Sequence, residues 1–380
     1  MASKMSDNEK KKPEWIPEGQ QEGFTTSVMY GIHSRHDGFR NNHIRKKKFQ
    51  KRKKLELNDY LQGVLDRDRT IMARAITLVE SNSVKHRQMA DDLIKALLPK
   101  SGQSIRIGIT GMPGAGKSTF IEALGNLLCD SGHKVAVLAV DPSSSLTKGS
   151  ILGDKTRMEK LSTRQEAFIR PSPSGGVLGG VARKSRETMI ICEAAGFDVI
   201  LVETVGVGQS EITVRSMVDF FLLLTITGAG DDLQGMKKGI MELADAILIN
   251  KADGENKKRA ETTKSEFNRI LHYLQPATPG WHTKAYTCSS ITGFGIDVIW
   301  EVIEAFLKHT KNSGFFEERR HTQAIDWMKA MIEEYLKKIF YEDESVKSVY
   351  ENVQADVNTG EITPATGAQQ LIQAFERNSE

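Results

Sequence analysis

A glycine-rich loop between a short apolar strand and a helix constrains this chain more than any other feature. The predicted strand Ile105–Thr110 leads into the letters GMPGAGKST at residues 111–119, which match the pattern G-x-x-x-x-G-K-[ST]. Glycines allow the backbone to form a nest of N–H groups that point at phosphate oxygens. A helix predicted from Ser118 to Cys129 would direct the positive end of its dipole at the same anion. The spacing therefore predicts a phosphate-binding loop.

The residues of this loop have expected roles at a nucleotide. Lys117 is expected to reach the β- and γ-phosphates, and the Ser118 hydroxyl is expected to ligate Mg²⁺. The loop backbone would surround the phosphates with Gly111, Met112, Pro113, Gly114, Ala115, Gly116 and Thr119. The alternative is a glycine-rich turn in which the lysine occurs by chance. That alternative does not explain why a strand precedes the loop and a helix follows it.

From Ile105 onwards, apolar strands alternate with helices. The predicted strands are Ile105–Thr110, Val135–Val140, Ala167–Arg170, Val199–Glu203, Phe220–Thr227, Ala246–Asn250 and Ala285–Cys288. Several are unbroken apolar runs, which are typical of parallel strands covered on both faces. We therefore expect an α/β fold with a doubly wound, mostly parallel sheet, flanked by helical N-terminal and C-terminal extensions.

The pattern of the sequence divides the chain into four segments. Residues 1–54 are polar, lack a steady period and end in the basic run Arg45–Lys54, so we expect a disordered basic tail. Residues 55–102 are expected to form a helical extension, 103–312 the phosphate-binding domain and 313–380 a helical C-terminal arm. The basic run could bind nucleic acid, but no aromatic platform accompanies it, and a solvated tail is favoured.

Composition and cysteine usage favour a cytoplasmic protein. The 380 residues carry a net charge of only +3, and the three cysteines are scattered without metal-ligand spacing. The N-terminus is hydrophilic, with acidic residues among the basic ones, and does not resemble a secretory signal or a transit peptide. The longest apolar run is too short to span a bilayer, so no membrane association is expected.

A second motif predicts the base of the nucleotide. Asn250, Lys251 and Asp253 follow an apolar strand in the pattern N-K-x-D of P-loop GTPases. The Asp253 carboxylate would accept hydrogen bonds from the ring N–H and the exocyclic amine of guanine, and adenine offers neither donor there. Lys251 would lie along the base. The loop expected at the guanine carbonyl consists of Ser289, Ser290 and Ile291. GTP or GDP is therefore favoured over adenine nucleotides.

The segment Glu203–Gly206 stands where GTPases usually carry D-x-x-G. The Glu203 carboxylate would hold Mg²⁺ through water, and the Gly206 N–H would meet the γ-phosphate. The next residue is Val207, where small GTPases carry the glutamine that orients the attacking water, and Gln209 lies two residues further on. We expect a Mg²⁺-dependent GTPase that hydrolyses GTP slowly without a partner.

Other polar loops carry candidate residues whose roles the sequence leaves open. Asp141 and Asp154 could complete the Mg²⁺ shell, because both are hard oxygen donors. Arg157 is a candidate for stabilising the γ-phosphate. The glycine-bracketed segment Gly228–Lys238 contains two acids and two lysines, and it is a candidate moving element. Each of these is explained equally well as a helix cap or a surface charge.

These motifs together resemble the MeaB/ArgK family of GTPase chaperones, which serve adenosylcobalamin-dependent methylmalonyl-CoA mutase. The stretches that carry the resemblance are GMPGAGKST, VDPSSS, GDKTRM, RPSPSGGVLGG, ETVGVGQSE, GAGDDLQGMKKG and NKAD. The resemblance covers the chain from about Leu55 to its end. The wider class of P-loop GTPases to which the family belongs also contains metal-insertion chaperones.

The resemblance implies a homodimer that binds the mutase and uses GTP to gate cobalamin loading and to protect or reactivate the enzyme. It implies a nucleotide and Mg²⁺ site that consists of Lys117, Ser118, Asp141, Asp154 and Glu203, with Asp253 on the guanine. It also implies that Lys237 contacts the nucleotide side when the partner docks.

Two alternatives remain open. A metal-insertion GTPase needs soft ligands, and the scattered cysteines and histidines do not form such a cluster. A small-molecule kinase associated with transport would not need the guanine selection that N-K-x-D provides.

Overall fold

The computed structural model describes residues 55–81, 83–140, 158–170, 178–204, 210–227 and 238–377. Every described residue belongs to one unit, which spans residues 55–380.

Seven parallel strands form one sheet in the order β3-β2-β4-β1-β5-β6-β7. Their bounds are β1 Ile105–Gly111, β2 Val135–Val140, β3 Ala167–Arg170, β4 Val199–Thr204, β5 Phe220–Ile226, β6 Ala246–Asn250 and β7 Lys284–Thr287. The first strand lies at the centre, where Ile107 pairs with Leu201 of β4 and Phe220 of β5. The predicted α/β fold is confirmed, and all the described strands are parallel.

Thirteen α-helices lie in the described residues. They are α1 Leu57–Leu65, α2 Arg69–Glu80, α3 Val84–Leu97, α4 Lys117–Asp130, α5 Glu159–Thr163, α6 Leu178–Ala194, α7 Ser210–Arg215, α8 Lys238–Leu243, α9 Asn256–Leu271, α10 Ile296–Asn312, α11 Phe315–Glu342, α12 Glu344–Thr359 and α13 Pro364–Glu376. None of these described helices is long and apolar enough to cross a membrane.

The sheet has an apolar core on each face, because alternate residues of its buried strands point to opposite sides. On one face, β-strand residues such as Ile200 and Phe221 pack with α1, α2, α3, α6 and α7. On the other face, residues such as Leu201 and Phe220 pack with α4 and α10. A smaller cluster between β6, β7 and α9 includes Ile247 and Phe267. The strands therefore carry apolar residues at consecutive positions.

The long helix α11 is attached to the sheet by buried charges at the start of β5. The Arg320 guanidinium donates to both carboxylate oxygens of Asp219, at 2.8 and 2.7 Å. The Gln323 amide donates to the Val218 carbonyl at 2.9 Å. Buried charges are costly to desolvate, and the close pairing of Arg320 with Asp219 offsets that cost. This end of α11 is therefore fixed to the amino-terminal edge of the sheet.

Gly108 in the central strand leaves the space in which α7 and the chain after it pack. A methyl group added at Gly108 would lie 2.8 Å from Phe221 Cδ2, 2.9 Å from Val218 Cγ2 and 3.0 Å from Val214 Cγ1. These neighbours are buried in the core of that face. The lack of a side chain at Gly108 therefore sets how closely α7 approaches β1.

We predict that Gly108→Ala destabilises the protein by about 1–3 kcal/mol, because the core has no room for the methyl group. Urea unfolding measures the change in the free energy of unfolding. Gly239→Ala is the control, since Gly239 lies in helix α8 with no atom within 4 Å of the added group. We expect this control to change stability by less than about 0.5 kcal/mol, because Gly239 is the second residue of α8 and the helix penalty of glycine applies to the helix interior. Equal stability of the Gly108→Ala variant and the parent would contradict the packing of α7.

Candidate nucleotide-binding site

The predicted phosphate and guanine loops lie at the same edge of the sheet. The phosphate loop follows β1, Glu203 lies near the end of β4, and the two predicted guanine loops follow β6 and β7. Because the strands are parallel, these carboxyl ends share one edge, which is where open α/β sheets bind ligands.

The phosphate loop needs glycine at two positions where the backbone approaches its neighbours. Gly111 has φ 149°, and an added Cβ would collide with the carbonyl oxygen of Leu224 in β5. Gly116 has φ 89°, and an added Cβ would lie 2.7 Å from the Asn250 side-chain nitrogen. The helix α4 begins at the next residue, Lys117. Its N-terminal N–H groups and dipole therefore follow directly on the loop, as an anion site requires.

Lys117 lies over this loop and is half-buried beside charged residues. Its Nζ donates to the carbonyl oxygens of Gly111 at 2.7 Å and Met112 at 3.4 Å. Burial lowers the pKa of Lys117, and the negative charges of Glu203 and Glu211 oppose that effect. The ammonium group is thus held at the mouth of the loop, from which it can contact phosphate oxygens.

Ser118 and Glu203 bring two oxygen ligands together beside Lys117. The Ser118 hydroxyl donates to Glu203 Oε1 at 3.1 Å, and Glu203 is only 5% exposed. Hydroxyl and carboxylate oxygens are the ligands that Mg²⁺ prefers, so these residues fit a magnesium site. The other proposed ligands, Asp141 and Asp154, lie outside the described residues. So do Arg157, Gly206 and Lys237, and their roles stay predictions.

Asn250 joins the phosphate loop to the guanine loop. Its Nδ2 donates to the Ala115 carbonyl at 2.9 Å, across 135 positions of the chain. Its Oδ1 accepts from the Ser290 backbone N–H at 3.1 Å and from the Ser290 hydroxyl at 2.8 Å. The sequence predicted Asn250 as part of the N-K-x-D motif, but it did not indicate these two partners. One buried amide therefore positions both halves of the site.

The residues predicted to contact guanine are adjacent in the structure. The Ser289 hydroxyl donates to Asp253 Oδ2, and the Ala252 N–H donates to the Cys288 carbonyl at 2.9 Å. Lys251 is exposed and has the unusual φ of 58°, while Ile291 is 82% exposed. The Asp253 carboxylate, the Lys251 stem and the Ile291 side chain are thus accessible at the edge that carries Lys117.

Glu211 is a buried acidic residue that the sequence reasoning missed. It lies in α7, is 5% exposed and interacts electrostatically with Lys117. The available signal is its spacing, because Glu211 lies three residues before Val214 and so on the same helical face. That signal is weak, because charged residues are seldom fully buried.

The site combines a phosphate loop that carries Lys117 and Ser118 with two loops of the guanine-binding type on a parallel sheet. This combination defines a P-loop GTPase. The family model described as "Methylmalonyl Co-A mutase-associated GTPase MeaB" matches residues 72–345. The chain belongs to the MeaB family, and the resemblance stated from the motifs is confirmed.

The relatives agree with this assignment. The chain is 46% identical to GTPase ArgK of Escherichia coli K12 over 304 residues, which cover 80% of this chain and 92% of that protein. It is 40% identical to the mitochondrial methylmalonic aciduria type A homolog of Mus musculus, with coverage of 82% and 78%. A solved structure of a LAO/AO transport system kinase is similar with a TM-score of 0.69 and 38% identity, with coverage of 84% and 97%.

We predict that Asp253→Asn weakens GTP binding roughly 10- to 100-fold, because two charge-assisted hydrogen bonds to guanine are lost. Xanthosine triphosphate has a carbonyl group in place of the exocyclic amine, so the amide introduced by this substitution should bind it better than the parent carboxylate does. Titration with fluorescent GTP and competition by each nucleotide measure both effects. An unchanged preference for GTP over xanthosine triphosphate would remove Asp253 from the base site.

Proposed function

We propose that this protein is a GTP-hydrolysing chaperone of an adenosylcobalamin-dependent acyl-CoA mutase, with methylmalonyl-CoA mutase as the expected partner. In this role it gates cofactor loading and protects or reactivates the mutase. The observation that carries the proposal is the MeaB family match over residues 72–345, together with a guanine-type site at one sheet edge.

The residues of the site have distinct tasks in GTP hydrolysis. Lys117 would exchange its carbonyl partners for β- and γ-phosphate oxygens, and Asp253 would select guanine. Ser118 and Glu203 would hold Mg²⁺, with Asp141 and Asp154 as further candidate ligands. The bound metal neutralises negative charge on the phosphate oxygens. Val207 cannot orient a water molecule, so we propose that the partner supplies or completes that function.

The result of this cycle would be a conformational change that the mutase recognises. In GTPases, contacts to the γ-phosphate order loops, and hydrolysis releases them. Residues 228–239, with Lys237, are the proposed loop that relays the nucleotide state to the partner. We also propose that the protein is a cytoplasmic homodimer that uses its C-terminal arm.

Helix α11 supports the proposed homodimer. Its apolar side chains Ile325, Met328, Ile332, Tyr335, Leu336 and Ile339 are between 38% and 59% exposed. A contiguous apolar stripe of this kind on a long helix is typical of an interaction surface.

A small-molecule kinase is the second candidate, because one similar solved structure is described as a LAO/AO transport system kinase. The pairing of Asp253 with Ser289 supports guanine selection, which that activity does not require. The two functions differ in the phosphate acceptor. A chaperone releases inorganic phosphate from GTP, whereas a kinase transfers the γ-phosphate to an acceptor molecule.

We predict that methylmalonyl-CoA mutase from the source organism binds this protein and raises its GTPase rate roughly tenfold or more. The reason is that the mutase would supply or complete the group that orients the attacking water. Phosphate release is measured with and without the mutase, and complex formation is measured by size-exclusion chromatography with a GTP analogue or GDP. Lys117→Ala is the control, with loss of turnover and an unchanged circular dichroism spectrum. The chaperone assignment would be contradicted if no complex formed with either nucleotide, or if the protein transferred phosphate to arginine or ornithine.

A further inference from the structure

The side-chain oxygen of Asn250 has more hydrogen-bond donors than it can use at once. Its Oδ1 accepts from the Ser290 N–H at 3.1 Å, from the Ser290 hydroxyl at 2.8 Å and from the Cys288 thiol at 3.4 Å. An amide carbonyl oxygen has two lone pairs, so three donors share two acceptor positions. One of these donors can therefore be withdrawn without leaving the buried oxygen of Asn250 unsatisfied.

The other polar atom of Asn250 keeps this oxygen in place. Its Nδ2 donates to the Ala115 carbonyl at 2.9 Å, and a carbonyl can only accept, so the amide cannot be reversed. The asparagine is 2% exposed, and a Cβ added at Gly116 would lie only 2.7 Å from its Nδ2. Oδ1 therefore stays directed at residues 288–290 and depends on donors from that loop.

The two side-chain donors to Asn250 differ in strength. Cys288 is fully buried, and burial raises the pKa of its thiol to about 12, so the thiol keeps its proton and can donate. A thiol is nevertheless a weak donor, whereas a hydroxyl is a strong one. The Ser290 hydroxyl is therefore the group that can hold Oδ1 when the Ser290 N–H is used elsewhere.

Other N–H groups of the same loop close the turn that leads into α10. The Ser289 N–H donates to the Phe294 carbonyl at 2.9 Å, and the Gly293 N–H donates to the Ser289 carbonyl at 2.9 Å. The Thr292 N–H donates to the Ser289 hydroxyl at 3.3 Å. The Ser290 N–H takes no part in these turn contacts, so a ligand can accept it without opening the turn.

We propose that the Ser290 hydroxyl is a positioning group for guanine recognition, which acts through Asn250. When guanine binds, its carbonyl accepts the Ser290 N–H, and the Ser290 hydroxyl alone then holds Asn250 Oδ1. Asn250 thus continues to join the phosphate loop to the guanine loop while the base takes one of its donors. The proposal rests on the guanine site of the proposed function and does not depend on the mutase.

Removal of the hydroxyl creates a competition for one N–H. If the guanine carbonyl took the Ser290 N–H, Asn250 Oδ1 would keep only the weak thiol donor. If Asn250 kept the N–H, the guanine carbonyl would stay unpaired, and either result weakens binding. A purine without that carbonyl makes no such demand, because the N–H can remain on Asn250. The hydroxyl therefore matters only for nucleotides that carry the carbonyl group.

The first test compares three nucleotides in Ser290→Ala. GTP and inosine triphosphate, which keeps the carbonyl and lacks the exocyclic amine, should each bind about fivefold more weakly than to the parent. 2-Aminopurine riboside triphosphate has no carbonyl, and its affinity should change by less than about 1.5-fold. Ser290→Thr keeps a hydroxyl and should restore GTP binding to within about twofold of the parent. Competition against fluorescent GTP gives the dissociation constants.

Ser265→Ala is the matched control for this comparison. It removes a serine hydroxyl that donates to the Glu261 carbonyl at 2.9 Å on an exposed position of α9. An equal loss of affinity for all three nucleotides in Ser290→Ala would show that Ser290 only supports the loop, and it would overturn the proposal. Unchanged GTP affinity would overturn it too, since another N–H would then meet the guanine carbonyl. Failure of the parent to bind GTP would refute the guanine site itself.

Steady-state GTP hydrolysis separates a role at the base from a role in the chemistry. Ser290→Ala should raise KM about fivefold and leave kcat within about twofold, because the contact to the base is the same before and during the reaction. GDP affinity should fall by the same factor as GTP affinity. A fall in kcat at unchanged KM would place the effect at the phosphates and contradict the proposal.

A double-mutant cycle with Cys288→Ala tests the surplus of donors directly. In the parent, this change should weaken GTP binding by no more than about twofold, because the Ser290 hydroxyl still holds Asn250. In the Ser290→Ala background, it removes the last side-chain donor and should weaken GTP binding by a further fivefold or so. Additive effects of the two changes would show that the donors do not replace each other at Asn250, and the proposal would be wrong.

Discussion

The buried amide of Asn250 is the contact on which the geometry of the nucleotide site depends. It lies at the end of β6, two strands away from β1, and its two polar atoms bond to different loops. An amide buried without partners would cost about 1–3 kcal/mol, so the loops that satisfy it are held in one arrangement. The distance between the phosphate loop and the guanine loop is thereby fixed before any nucleotide arrives. This preorganisation lowers the entropy cost of binding a ligand that must contact both loops.

The charges in the phosphate site bear on the proposed binding of Mg²⁺ together with the nucleotide. The described part of the site has one half-buried ammonium group, on Lys117, and two buried carboxylates, on Glu203 and Glu211, whose charges act on it. A free triphosphate would add negative charge to a pocket in which carboxylates already outnumber the lysine. Mg²⁺ held by Ser118 and Glu203, as we propose, would remove that conflict, because it would neutralise one carboxylate and part of the phosphate charge. The charges of these residues therefore support the proposal that GTP binds as its magnesium complex.

The sequence predicted those parts of the structure that depend on residues close together along the chain. The strand–loop–helix from Ile105 and the N-K-x-D motif after β6 are local patterns, and both lie where the spacing placed them. The last strand starts one residue earlier than expected, at Lys284, because Lys284 pairs with Ala246 across the sheet. The contact of Asn250 with Ala115 and the burial of Glu211 depend on tertiary packing. No local pattern predicts the contact of Asn250 with Ala115, and the spacing of Glu211 indicates only the helical face on which it lies, so both features became visible only in the folded chain.

The first turns of helix α11 are attached to the sheet, and its apolar stripe is exposed. This division limits how a nucleotide-dependent conformational change can reach the helix. Arg320 and Gln323 attach its first turns to Asp219 and Val218, at the sheet edge opposite the nucleotide. The buried ion pair resists displacement, because separating it would leave a desolvated charge without its partner. The core of parallel strands is equally stiff, since it is close-packed. The short helix α7 is joined to this part of α11 through Arg186, which donates to the Ser216 carbonyl after α7 and to the Gln323 carbonyl of α11. A conformational change that reached α11 by this route would therefore act on its attached end.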